Sequence, residues 1–126
     1  MGQPGDVLAV DFGLYAHVGV LSDRLDERTD EPLVFSSTWR RGAIHEEPIS
    51  EFAQGRPVVR VGYPGALPRA TVVSRARALV GRPWNLLWDN CEHFVREAHG
   101  LRRISPQVRT AAVVATVLFV VIANSE

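Results

Sequence analysis

The stretch DNCEHFVREA occupies residues 89–98, and it has the pattern of a helix start. Asp89 or Asn90 can cap the first turn, and Glu92 suits that turn because helix N-termini carry partial positive charge. Phenylalanine, valine and alanine follow at helical spacing and form an apolar stripe. The pattern therefore predicts an amphipathic helix with the thiol of Cys91 in its first turn.

Cys91 is the only cysteine of the chain. A single cysteine excludes an intramolecular disulfide and a multi-cysteine zinc site, so the residue is a free thiol. The pKa of a free thiol is about 8.5, and a helix N-terminus lowers it because the dipole favours the thiolate. Cys91 is therefore a candidate nucleophile, and the alternative is a small buried core residue.

A histidine in a predicted strand is the candidate base for this thiol. Residues 6–11 and 15–21 have the β-branched and apolar content of two strands, and alternation places His17 and Gly19 on one face. Gly19 has no side chain, so we expect open space beside His17 for a sulfur atom or a substrate. An imidazole with a pKa near 6.5 can accept and return a proton at neutral pH.

Three other histidines compete with His17 for this role. His93 lies two residues after Cys91 and should face another side of the helix. His99 is expected to face solvent, and His45 lies on a later strand. His17 is therefore preferred, although spacing alone leaves open that it is a hydrogen-bonded core residue.

The rest of the chain predicts a single α+β domain with an antiparallel sheet packed against helices. Residues 33–38 and 42–47 read as a hairpin, and 58–63 as the last strand. Residues 68–81 have helical apolar spacing and end at a glycine. The charged stretch 22–32 reads as a solvated loop.

Composition narrows the class of protein further. A length of 126 residues with 46% hydrophobic content suits one domain. Fourteen basic residues balance fourteen acidic ones, so no global field favours nucleic acid. The N-terminus lacks the pattern of a secretory signal, so we expect a reducing, cytoplasmic environment.

Several short motifs resemble the lecithin:retinol acyltransferase and phospholipase A/acyltransferase family. They are NCEHFV at 90–95, LVG at 79–81, WNLL at 84–87, PGD at 4–6 and HVGV at 17–20. The resemblance spans roughly residues 4 to 110 and implies a permuted papain-like fold. It places the catalytic domain at residues 1–104.

The resemblance also implies a mechanism, in which Cys91 attacks a lipid ester, with His17 as base, and holds the acyl group as a thioester. Such an acyltransferase or phospholipase A needs no metal or organic cofactor. A second histidine that orients the first in this family is replaced here, which makes Ser36 the candidate orienter and His45 its alternative. The backbone N–H of Cys91 is the first candidate oxyanion donor.

Other readings stay open from the sequence. The same fold could serve a cysteine amidase or peptidase, or a catalytically weak lipid-binding or membrane-tethering domain. Arg40 and Arg41 could hold a lipid phosphate or belong to a solvated turn. Four aromatic residues could line an acyl groove or fill the core: Phe12, Tyr15, Trp84 and Trp88.

The C-terminal segment, residues 105–126, includes an apolar run from Ala111 to Ala123. As a helix this run would span about 20 Å, which is short of the roughly 30 Å hydrocarbon core of a bilayer. We expect a helix that contacts a membrane or is buried in a homo-oligomer. The resemblance favours a membrane anchor, and the arginines before the run place the domain on the cytoplasmic side or, without a membrane, in the cytoplasm.

Overall fold

The computed structural model describes residues 2–84 and 90–101. These ranges form an α+β structure, which confirms the predicted fold class. The elements in chain order are β1 Val7–Asp11, β2 Ala16–Leu25, β3 Pro32–Thr38, β4 Ala43–Pro48, α1 Ile49–Ala53, β5 Val58–Gly62, α2 Arg69–Ala78 and α3 Cys91–Ala98.

The five strands form one antiparallel sheet in the order β4-β3-β2-β1-β5. β2 is longer than predicted, because after an irregularity in the pairing beyond Leu21 its polar end pairs again at Leu25, which lies opposite Pro32. Backbone pairing does not require apolar side chains, so the charged stretch did not reveal this extension. At the other end of β2, His17 lies opposite Val10 and next to the turn that joins the first two strands.

Both faces of the sheet are covered. One face packs its valines and alanines, with Phe35, against α2 and α3. The other face packs Leu8, Val10, Leu21 and Val34 against Phe52 of α1. The sequence did not predict α1, because five residues are too few to show a helical period.

Gly19 does not provide the open space that the sequence suggested. A Cβ atom built there would lie 2.7 Å from the carbonyl oxygen of Phe35, 2.8 Å from Val34 Cγ1 and 2.9 Å from Phe52 Cε1. The missing side chain therefore lets α1 pack closely on the sheet. The expectation failed because the residues that fill this space come from distant parts of the chain.

Helix α3 begins as predicted, and Asn90 is its N-cap. The Asn90 side chain accepts a hydrogen bond from the backbone N–H of His93 at 3.0 Å. At the other end of the helix, His99 is buried, and its Nε2 lies 2.8 Å from the carbonyl oxygen of Gly5. The expectation that His99 faces solvent is wrong, because the helix end packs on the N-terminal turn and on Tyr63.

Some predictions lie outside the described residues. They include Asp89, Trp88, the boundary between residues 104 and 105, and the apolar C-terminal helix. The papain-like assignment stays a prediction. Within the described ranges, every helix is too short or too polar to cross a bilayer.

Candidate active site

A cavity of about 480 Å³ lies at the end of the sheet where β1 meets β2 and where β3 ends. Its wall combines parts of the chain that are far apart in sequence. The lining residues are Phe12, Tyr15, Ala16, His17, Ser37, Thr38, Trp39, Arg40, Phe52, Gln54, Trp84, Asn90, Cys91 and Glu92. The structure therefore brings the predicted nucleophile and the predicted base to one cavity, which has the size of a small-molecule site.

The Cys91 thiol is half-buried and lies against the strand that carries His17. Burial raises its pKa to about 12, and the negative charge of Glu92 adds to this effect. The backbone N–H groups of Val18, Cys91 and Glu92 oppose it, because they donate toward the sulfur and favour the thiolate. The low pKa expected from the helix N-terminus is therefore not found, since desolvation outweighs the N–H groups.

This environment predicts slow alkylation of Cys91 at neutral pH. Iodoacetamide reacts with the free thiolate, and a pKa of about 12 leaves a very small thiolate fraction at pH 7. We expect the rate with iodoacetamide to rise about tenfold per pH unit from pH 7 to pH 10. The urea-unfolded chain is the control, and its rate should level off above about pH 9. A rate that is already high and constant at pH 6 would contradict the structure.

His17 is buried, with 7% of its surface exposed, and its ring lies 5.0 Å from that of Phe52. Burial lowers the pKa of His17 to about 4, although the nearby carboxylate of Glu47 raises it in part. The imidazole is therefore neutral at physiological pH and can accept a proton. At rest, the cavity is therefore lined by a neutral thiol and a neutral imidazole.

Within the part of the chain that the structure describes, neither Ser36 nor His45 makes a hydrogen bond to His17. Among the described residues, His17 Nε2 and the Ser36 hydroxyl are both buried and neither has a hydrogen-bond partner. Ser36 lies opposite His45 in the β3–β4 pair, and His45 Nε2 lies 2.8 Å from Glu47 Oε2. His45 is thus directed to a carboxylate, and the orienting roles of Ser36 and His45 stay predictions.

Glu47 is the residue that the sequence did not single out. Its side chain is fully buried, and burial alone would raise its pKa. His45 and Arg40 nevertheless hold the pKa of Glu47 below its usual value. A carboxylate in the strand pattern AIHEEP carries no local sign of burial, because the two arginines that pair with it come from the β3–β4 turn.

Arg40 and Arg41 are engaged by carboxylates. Arg40 Nη2 lies 3.0 Å from Glu47 Oε1, and Arg41 Nη2 lies 2.6 Å from Glu51 Oε2. These contacts compensate the two positive charges within the domain. Both guanidinium groups are thus paired with carboxylates. The predicted lipid-phosphate site at Arg40 and Arg41 therefore gains no support from this structure.

Comparison with known proteins identifies similar sequences. The family model described as Lecithin retinol acyltransferase matches residues 2–100. Lecithin retinol acyltransferase of Mus musculus is 34% identical over 130 aligned residues, covering 82% of this chain and 56% of that protein. The Bos taurus protein of the same name is 33% identical over 85 residues, covering 63% of this chain and 37% of that protein. The chain thus spans about half or less of these curated relatives.

Proposed function

Because the chain belongs to the lecithin retinol acyltransferase family, we propose that it is a thiol-dependent acyltransferase or phospholipase A that acts on lipid esters. Cys91 is the nucleophile, His17 is the base, and the acyl group is held as a thioester on Cys91. The single observation that carries the proposal is the shared cavity of Cys91 and His17. The relatives' name contains a phospholipid, lecithin, and an alcohol, retinol, which supports ester chemistry.

In the first step, Cys91 Sγ attacks the ester carbonyl carbon while its proton passes to His17. The thiol does not ionise beforehand, since burial keeps its pKa near 12 and leaves the imidazole neutral. The carbonyl oxygen becomes an oxyanion, and backbone N–H groups at the start of α3 can donate to it. When the carbonyl forms again, the C–O ester bond breaks and the proton on His17 passes to the leaving alkoxide.

In the second step, the acyl group leaves Cys91. A hydroxyl or amine acceptor, or water, gives a proton to His17 as it attacks the thioester carbonyl. The C–S bond breaks, and the thiolate takes the proton back from the imidazole. The acyl product leaves, and the neutral pair is restored.

Part of the cavity lining agrees with a lipid substrate. Phe12, Tyr15 and Trp84 all line the cavity, as expected for an acyl groove, and Phe52 lines it too. This aromatic part of the wall suits an acyl chain better than it suits the polar substrate of an amidase or peptidase. We further propose that the domain works at the cytoplasmic side of a membrane, with the apolar C-terminal run as an anchor or peripheral contact.

Intact-mass spectrometry tests the thioester directly. The full chain is incubated under reducing conditions with mixed short-chain phosphatidylcholines below their micelle concentration. We expect a mass increase equal to one acyl group, together with release of the lysophospholipid. The adduct should disappear with hydroxylamine, because that nucleophile cleaves thioesters.

A Cys91→Ala variant is the matched control, and it should form neither adduct nor lysophospholipid. An adduct that persists in this variant would place the acyl group elsewhere. If the native chain forms no adduct and releases neither fatty acid nor lysophospholipid, the ester-cleaving proposal is wrong. A catalytically weak lipid-binding domain would then be the better interpretation.

A further inference from the structure

We propose that Leu14, Tyr15 and Trp39 form a lipid-contact rim, which docks the cavity mouth on a neutral, zwitterionic phospholipid bilayer. This inference rests on the proposed function and names the surface from which the substrate enters. It concerns a contact made by the folded domain and is separate from the C-terminal run.

The rim contains three of the five large apolar side chains that are exposed on the described surface. Leu14 is 97% exposed, Trp39 is 70% exposed and Tyr15 is 47% exposed. A leucine left fully in water forgoes the free energy that burial of its apolar surface would provide. Tyrosine and tryptophan are also the side chains that favour the boundary between lipid and water.

The two turns that carry the rim lie at the same end of the sheet as the cavity. Leu14 and Tyr15 belong to the β1–β2 turn, and Trp39 follows β3. Tyr15 and Trp39 line the cavity into which Cys91 faces. A bilayer that covers the rim would therefore also cover the entrance to the candidate nucleophile.

Ordered backbone holds these side chains outward. The N–H of Phe12 donates to the carbonyl of Tyr15 at 3.0 Å, and the rings of these residues stack at 5.4 Å. In the other turn, the N–H of Gly42 donates to the carbonyl of Thr38 at 2.9 Å. The exposed leucine and tryptophan are thus presented by turns that backbone hydrogen bonds close.

Charge decides which lipid surface fits. The arginines next to Trp39 are compensated by Glu47 and Glu51, as described above. Arg56 lies over the ring of Phe12, at 5.0 Å from its centroid, and donates to the carbonyl of Asp11. The rim is therefore apolar and aromatic with little net charge beside it, which matches a phosphatidylcholine surface better than an anionic one.

Site-specific fluorescence separates this contact from any contact made by the C-terminal run. In the full chain, Cys91→Ala removes the only cysteine, and Leu14→Cys or Leu25→Cys introduces one labelling site. Leu25 is 58% exposed and ends β2 far from the cavity, so it is the matched control. Each variant is labelled with an environment-sensitive nitrobenzoxadiazole dye and mixed with phosphatidylcholine vesicles.

We expect a blue shift and at least a twofold rise in emission at position 14, with no change at position 25. The shift should be the same in 0.1 M and 0.5 M NaCl. No shift at position 14, or equal shifts at both positions, would overturn the proposal. So would a shift that requires anionic vesicles, or a dye at position 14 already shielded without lipid, which would indicate that protein covers the rim.

Because these variants lack Cys91, the fluorescence result does not depend on catalysis. A second arm uses the active chain with Leu14→Asp. We expect it to act at least tenfold more slowly on phosphatidylcholine in vesicles and equally fast on the monomeric short-chain ester. If the native chain and Leu14→Asp act equally fast on vesicles, the rim proposal is wrong. If the native chain does not cleave the monomeric ester, the result counts against the proposed function instead.

Discussion

Replacing His17 with glutamine is expected to slow acylation of Cys91 by about 10²- to 10⁴-fold, which is the range for loss of a general base. Glutamine approximates the size and polarity of the imidazole but cannot take the thiol proton. The measurement is the initial rate of acyl-adduct formation with the monomeric ester. Because the half-buried thiol is neutral at rest, the variant has almost no thiolate that could attack without a base.

The pH profile distinguishes a base from a structural residue. His17 acts only when deprotonated, and burial lowers its pKa to about 4. The native rate should therefore be nearly constant between pH 5 and 8 and fall only as the pH approaches 4. In His17→Gln, attack depends on the scarce thiolate, so the rate should rise about tenfold per pH unit over the same range.

His45→Gln is the matched control for this prediction. His45 lies beside Glu47 and does not line the cavity, so we expect less than a tenfold loss of rate. Full activity of His17→Gln would exclude His17 as the base. A loss in His45→Gln as large as in His17→Gln would support the orienting role that the sequence analysis considered for His45.

Replacing Gly19 with alanine is expected to destabilise the domain by about 1–3 kcal/mol, the usual cost of overpacking a core. The added methyl group would meet a backbone oxygen, a valine and Phe52 at less than 3.0 Å. A backbone carbonyl held in the sheet cannot move aside without loss of pairing. Urea unfolding should show a lower midpoint with an unchanged m-value.

A double-mutant cycle with Phe52→Leu identifies the cause of this cost. The shorter side chain removes the Cε1 contact, so the two losses should be less than additive by about 1 kcal/mol. Gly19 does not line the cavity, so the folded fraction of Gly19→Ala should keep the acylation rate. If Gly19→Ala keeps its stability but loses acylation, the result would instead support the expectation from the sequence that Gly19 leaves space for the substrate.

The sequence by itself determined the local features of the site. The N-cap and apolar stripe after Asn90 predicted a helix that begins at Cys91, and strand alternation separated His17 from Val18. Both follow from capping and periodicity, which act within a few residues. The hairpin of residues 33–38 and 42–47 was also predictable, because turn and strand signals are local.

Only the tertiary structure decided the chemical state of that site. The pKa of Cys91 depends on desolvation and on the Val18 N–H, about seventy residues away in sequence. The burial of Glu47 and the closure of space at Gly19 likewise depend on distant elements packing together. Desolvation is a property of the surrounding atoms in space, so a pattern of neighbours in sequence cannot specify it.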